Sequence, residues 1–291
     1  MIKSKIISHK EIAKNIYQLE LLAPEVAGNS KAGQFVNVYL KDKSKLLPRP
    51  ISICEIREDR LVLVYGVVGK GTEELSSYEP GESLSILGPL GNGFSLEGSQ
   101  EQANEIGEET MKRVVLVGGG IGVPPMVQLA KELKGKAEEI IAVVGFKEEP
   151  FLIETLMAVC TEVYVATDSG KTGFQGNVVQ LIETENIQGT YYFACGPKVM
   201  LKNLTQFCAQ KAHEKGSIGI PIQISLEERM GCGYGACVGC TCKVKGKASP
   251  LAEDACMGFQ DETHVLETVV LQKKVCTDGP VFLGKEVVWD A

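Results

Sequence analysis

Cys232, Cys237 and Cys240 fall within nine residues, in a run that reads Gly-Cys-Gly-Tyr-Gly-Ala-Cys-Val-Gly-Cys from Gly231 to Cys240. Glycines at this density permit positive φ and close backbone approach, so the run is expected to form a tight loop with amide N–H groups aimed at the sulfurs. With Cys276 farther on, the pattern is C-x4-C-x2-C…C, the spacing of a plant-type [2Fe–2S] site. Taken from the residues alone, the fourth ligand stays open. Cys242 and Cys256 are also near in sequence, and Cys242 projects to the same side as Cys240 on an extended strand. Structural zinc usually joins separated C-x2-4-C pairs or takes histidine partners, and His213 and His264 are both distant in sequence. Disulfides suit a secreted chain. Met1-Ile2-Lys3-Ser4-Lys5 opens instead into a mixed polar segment, so the ten cysteines are expected in a reducing, cytoplasmic setting.

The rest of the chain changes period twice. Up to residue 98, short alternating or β-branched runs are punctuated by turns: Ile16–Leu21, Phe35–Leu40, Leu61–Tyr65 and Ser83–Leu87. Gly33, Pro48, Gly71, Pro80-Gly81 and Gly88-Pro89 separate them, which predicts a small antiparallel β-barrel. Residues 99–112 read as a linker, within an acidic stretch running from Glu97. From 113 to 217 strand runs at Val114–Val117, Ile140–Val144, Glu162–Ala166 and Tyr191–Ala194 alternate with helical segments at Met126–Leu133, Phe151–Val159 and Val178–Thr184. That alternation predicts a doubly wound parallel sheet. Residues 218–291, rich in glycine and cysteine, complete a multidomain α/β plus β chain with a small cluster domain. A net charge of −7 argues against nucleic-acid binding. No apolar run approaches the roughly 20 residues of a membrane helix, so no membrane association is expected.

Two features of the middle segment point to a dinucleotide. Gly118-Gly119-Gly120-Ile121-Gly122 follows the first strand and precedes a helix, where a bare backbone and unpaired N–H groups suit a pyrophosphate. It departs from G-x-G-x-x-G at the third glycine, and a plain strand–helix turn is the alternative. Ala194-Cys195-Gly196-Pro197 follows a later strand, and ligands collect at the carboxyl ends of such strands. Asp168 lies at a third strand end. The absence of an arginine around Thr167–Gly170 favours NAD over NADP, although Lys147 and Lys171 keep that choice open. In the first segment, Arg49-Pro50-Ile51-Ser52 offers a guanidinium for a phosphate and a hydroxyl for a ring nitrogen. Gly69-Lys70-Gly71-Thr72 offers a loop of small residues.

In this order, the motifs resemble the ferredoxin–NADP reductase superfamily and, within it, the electron transfer subunits of NAD-dependent class 1B dihydroorotate dehydrogenases. The resemblance spans essentially the whole chain and includes Glu228–Cys237 and Val275-Cys276-Thr277-Asp278-Gly279-Pro280-Val281-Phe282. It implies that the last segment supplies the final cluster ligand, Cys276. It implies FAD against Arg49, Pro50, Ile51, Ser52, Val64, Tyr65 and Gly66, with Gly71 and Thr72 near its phosphates. NAD would lie on Gly118, Gly119, Gly120, Ile121, Gly122, Asp168, Cys195, Gly196 and Pro197, with Ser52 and Cys195 as positioning residues where the two cofactors meet. The implied partner is an FMN-containing catalytic subunit that oxidises dihydroorotate to orotate in pyrimidine biosynthesis, with two copies of each subunit. A ferredoxin–NAD(P) oxidoreductase or sulfide dehydrogenase subunit is the alternative within the same modules; a zinc-stabilised binding module is the non-enzymatic one. Against the family pattern, Lys245–Glu262, with Cys256, is expected to form an added excursion, and Glu97–Glu109 an extended one.

Overall fold

In a computed structural model, residues 1–96, 111–215, 219–247 and 268–289 are described. Most of the acidic stretch and linker, and most of the expected Lys245–Glu262 excursion with Cys256, lie outside these residues. Lys245–Lys247, at its start, continue a regular strand.

The first six strands are β1 (Ile2–Ala13), β2 (Ile16–Leu22), β3 (Phe35–Tyr39), β4 (Arg49–Arg57), β5 (Arg60–Gly66) and β6 (Ser83–Leu90). They close into a barrel in the order β1-β2-β5-β4-β3-β6, antiparallel throughout. Two short helices, α1 (Pro24–Ala27) and α2 (Lys70–Ser76), lie between strands. β5 shows why its sequence is apolar at nearly every position. Leu61, Leu63 and Tyr65 point into the barrel core, while Val62 and Val64 join a second buried cluster with Val123 and Val127 of the next module. Period-2 alternation thus supplies two cores at once.

The next module begins with β7 (Arg113–Gly119), a single 3₁₀ turn at Gly120–Gly122 and α3 (Pro124–Leu133). It continues through β8 (Glu139–Phe146), α4 (Ile153–Met157), β9 (Glu162–Thr167), β10 (Phe174–Gln175), α5 (Val178–Thr184), β11 (Tyr191–Cys195) and α6 (Lys198–Lys215). Val114 to Val117 are fully buried, as expected for a strand covered on both faces. β1 and α6 go unmarked by sequence periodicity.

The sheet extends past residue 217. β12 (Ile222–Ser225) pairs in parallel with β11, and β15 (Val281–Leu283) pairs antiparallel with β12. The order is therefore β10-β9-β8-β7-β11-β12-β15. α6 provides the crossover that returns the chain for one more parallel strand, and Ile222 and Ile224 complete the apolar layer. The C-terminal module keeps the cysteine loop and a separate hairpin, β13 (Thr241–Lys247) with β14 (Thr268–Lys274). Among the described residues no helix is long and apolar enough to cross a membrane.

Candidate functional site

β7 and β11 are neighbours, and the chain leaves β7 toward β8 on the opposite side. Their carboxyl ends thus form the topological switch point where ligands settle in open α/β sheets. Both predicted loops arrive there and touch. A Cβ added at Gly122 would lie 2.3 Å from the Cys195 carbonyl oxygen and 2.6 Å from the Gly196 nitrogen. One at Gly119 would lie 2.6 Å from Met200 Sδ and 2.9 Å from Pro197 Cδ, and one at Gly118 would lie 2.9 Å from Val123 Cα. Three of the four loop glycines therefore answer to the protein's own packing. Gly120 differs, with φ +53° and, among the described residues, nothing within 4 Å of its added Cβ, and Ile121 beside it is exposed. This pair presents the open edge of the loop. Asp168 is exposed at the end of β9, two strands from β7, with its N–H bonded to Phe146 O at 3.1 Å. Desolvation pushes the Cys195 thiol up to about 12 against an opposing hydrogen bond with Ser225, so it stays a neutral thiol.

The barrel provides a second cradle. At Gly71, in the first turn of α2, an added Cβ would fall 2.0 Å from Arg49 Nε and 2.2 Å from Nη2. The guanidinium thus rests where only glycine admits it, and Nη1 donates to Leu47 O at 2.6 Å. Thr72 Oγ1 accepts from Val68 and Gly69 N–H at 2.9 and 3.2 Å and donates to Gly69 O, which shapes the loop with its hydroxyl. Leu46, Leu47 and Val68 stand exposed beside this cradle. Glu74 of α2 latches the preceding loop through Lys41 N–H, Asp42 N–H and Lys45 Nζ, and also accepts from Tyr78 OH. Partial burial raises its carboxyl, but hydrogen bonds with Lys45, Tyr78 and Asp42 outweigh that and bring it to about 2.

Not every predicted flavin residue presents its side chain. Ile51 and Tyr65 point into the barrel core, and Tyr65 OH meets His9 Nε2 at 2.9 Å. Val64 is buried against the α/β module. These three offer a ligand backbone. Ser52, half-buried, alternates to the outer face of β4, while Pro50 is exposed and Gly66 half-buried.

Sequence reasoning missed the join between the cradles. Ile56 N–H of β4 donates to Gln128 Oε1 of α3 at 2.8 Å, and Gln128 Nε2 donates to Glu132. Ala32 N–H also donates to Glu132, at 2.8 Å, and Glu55, almost fully buried, pairs with Lys131 and Arg57. The strand bearing Arg49–Ser52 is thereby fixed to the helix that follows the glycine loop. The available signal was Gln128 and Glu132, polar at i and i+4 on a largely apolar helix.

In the cysteine loop, Gly233 and Gly235 have φ +76° and +89°, and the β-branched Val238 has φ +56°. Cys232 N–H points at Cys237 Sγ and Cys237 N–H at Cys232 Sγ, both at 3.4 Å. Desolvation raises the Cys232 thiol, but N–H groups of Cys237, Tyr234 and Ala236, with the Cys237 side chain, prevail and bring it down to about 6. Val275 N–H bonds Cys240 O at 2.8 Å, which sets Cys276 against Cys240. Burial first, and then the neighbouring Cys240, push Cys276 up to about 11. Cys242 packs against the apolar core on β13. The thiols thus form two pairs, 232 with 237 and 240 with 276. Among the described residues no three His, Cys, Asp or Glu side chains converge on a single-metal position. Two pairs suit two irons taking two thiolates each.

Comparisons agree with this geometry. Residues 227–258 match the model of the iron–sulfur cluster binding domain of dihydroorotate dehydrogenase B. A solved structure of an NADH-dependent reduced ferredoxin–NADP oxidoreductase is similar at TM-score 0.75 and 26% identity, covering 99% of this chain and 91% of that one. The dihydroorotate dehydrogenase B (NAD(+)) electron transfer subunit of Geobacillus sp. (strain WCH70) is 41% identical, and that of Geobacillus thermodenitrificans (strain NG80-2) 37% identical. Each alignment covers 97% of this chain and 96% of the relative. At such identity, over alignments that take in barrel, sheet and cysteine loop alike, the chain belongs to the family of dihydroorotate dehydrogenase B (NAD(+)) electron transfer subunits.

Proposed function

We propose that this chain carries electrons from a catalytic partner subunit that oxidises dihydroorotate to NAD, by way of a [2Fe–2S] cluster and FAD. Cys232, Cys237, Cys240 and Cys276 would hold the cluster. β4, with Arg49 at its start and Ser52 on its outer face, and the Gly71 cradle would hold FAD; the Gly120–Ile121 edge, Asp168 and the Cys195–Pro197 turn would hold NAD. The partner would carry FMN, in an assembly with two copies of each subunit in the cytoplasm, serving pyrimidine synthesis. When bound, a flavin converts between the single electrons of an iron–sulfur centre and the hydride of nicotinamide.

The chain's own residues bind and orient. Arg49 meets a phosphate with a fixed positive charge already settled over Gly71. Ser52 offers a hydroxyl on the outer face of β4. Cys195, held neutral, limits the approach of a ring at the end of β11 without competing as a nucleophile. The β4–α3 join keeps the two cradles in constant relation.

The observation that carries this reading is the pairing of the four thiols in a chain whose full-length relatives are electron transfer subunits. A second reading, a ferredoxin–NADP oxidoreductase subunit, draws on the full-length similarity to the oxidoreductase structure. Co-purification with the native partner, cofactor analysis, and addition of dihydroorotate with NAD separate the two. NADH formation is expected. Its absence alongside rapid ferredoxin turnover would favour the second reading, and a colourless, zinc-containing protein would sink both.

A further inference from the structure

β3 alternates cleanly: Val36 and Val38 enter the barrel core, while Phe35 and Asn37 face the C-terminal module. Asn37 is wholly buried. Its Nδ2 donates to the Cys232 carbonyl at 2.7 Å, across 195 residues of sequence. Gly233 is pressed on the same amide, so an added Cβ would lie 2.6 Å from Nδ2 and 2.7 Å from Oδ1. Among the described residues, the buried Oδ1 has no hydrogen-bond partner. In the strand register Asn37 stands opposite Pro50 and Phe35 opposite Ser52. One amide therefore links the strand pair of the proposed flavin face directly to the backbone of the first thiol ligand.

A second asparagine serves the other arm. Asn92, just beyond β6, donates from Nδ2 to the carbonyls of Thr277 and Asp278 at 3.0 and 3.1 Å, and its N–H bonds Gly279 O at 2.6 Å. Each of the two chain segments that supply thiols is thus tied to the barrel by an asparagine.

We infer that Asn37 is a positioning residue for electron transfer, fixing the cysteine loop at a set distance from the flavin strands, with Asn92 steadying the Cys276 arm. This rests on the proposed reading of the four thiols and the β4 face. Stability alone is a poor explanation for Asn37. A buried acceptor without a donor carries a penalty that an apolar residue of similar volume avoids. What the amide adds is direction, because only a donor at this position selects one register of the loop against β3. Electron transfer between two centres falls steeply with their separation, so that register governs the rate.

The test uses the full chain with its partner, loaded with FAD, iron and sulfide under anaerobic conditions, and three variants. Asn37→Asp keeps the shape but removes the donor to Cys232; Asn37→Leu removes both polar atoms; Asn92→Ala loosens the other arm. Rapid mixing with NADH resolves flavin bleaching from cluster reduction, and electron paramagnetic resonance reports the reduced cluster. Both Asn37 variants are expected to slow the cluster phase at least tenfold relative to the flavin phase, with shifted g values and faster iron loss to a chelator. Asn92→Ala should move the same readouts in the same direction but less. If Asn37→Leu fails to fold, the near-isosteric Asp variant still decides. Unchanged phase ratio, g values and iron retention in Asn37→Asp would overturn this inference alone. A wild-type protein without a [2Fe–2S] signal would overturn the site assignment and the inference together.

Discussion

Gly122→Ala and Gly120→Ala, two residues apart in one loop, are expected to fail in opposite ways. At Gly122 the new methyl would sit 2.3 Å from the Cys195 carbonyl oxygen and 2.5 Å from its carbon. An ordinary carbon–oxygen contact is about 3.3–3.6 Å, so the two strand ends must part by roughly 1 Å. Both atoms struck are backbone, and the rungs Ala194↔Val117 and Cys195↔Gly118 hold them in place, so no rotamer relieves the clash. Overpacking of this kind costs about 2–3 kcal/mol, or roughly 4–12 °C of melting temperature at about 2–4 °C per kcal/mol. At Gly120 no described residue lies within 4 Å of the added methyl, and φ is +53°. A side chain there meets only the left-handed backbone penalty, about 1–2 kcal/mol. The methyl would stand on the open edge assigned to NAD, and a rise of about tenfold in its dissociation constant, roughly 1.4 kcal/mol, is expected. Circular dichroism melts and NADH titration measure the two quantities. Gly122→Ala melting within about 2 °C of wild type, or Gly120→Ala proving the worse folder with NADH affinity intact, would refute this division of the loop.

Three further outcomes follow from the geometry. Cys276→Ser should abolish the reduced-cluster paramagnetic signal, whereas Cys242→Ser, at a thiol packed against the core, should keep it. Gly71→Ala should displace the Arg49 guanidinium, which can swing away, and weaken FAD retention about tenfold, the scale of one charge-assisted contact; unfolding should hardly change, and flavin content after gel filtration provides the measure. Glu74 is held at about 2, below its ordinary 4.5. Its contribution to stability is therefore complete above about pH 4.5 and lost as pH falls toward about 2. Melts between about pH 5 and pH 3 should lose less stability in Glu74→Gln than in wild type.

Much of this architecture is written in local pattern. Turn residues and alternation marked four barrel strands, and the buried run Val114–Val117 with its glycines marked the start of the α/β sheet. Other elements had no local signal. Ile222–Ser225 carries a glutamine, and it becomes a central strand because Gln223 is satisfied by Ser95 and Tyr191 after the chain returns through α6. Tyr65 and Ile51 could face either side of their strands by sequence; closure of the barrel turned both inward, leaving their backbone for a ligand.

The cysteine spacing by itself determined that a loop of thiols would form and what class of metal centre suits it, because glycine density and ligand separation are properties of contiguous residues. It left three candidates for the last ligand. Tertiary structure set Cys276 against Cys240, through the hydrogen bond from Val275 to Cys240, and left Cys242 half-buried against the apolar core. It alone decided that Gly122 faces a neighbouring strand end while Gly120 faces open space, and that Asn37 reaches Cys232. Such contacts join residues that neither share a helix turn nor a strand register, so their complementarity exists only once the modules are packed.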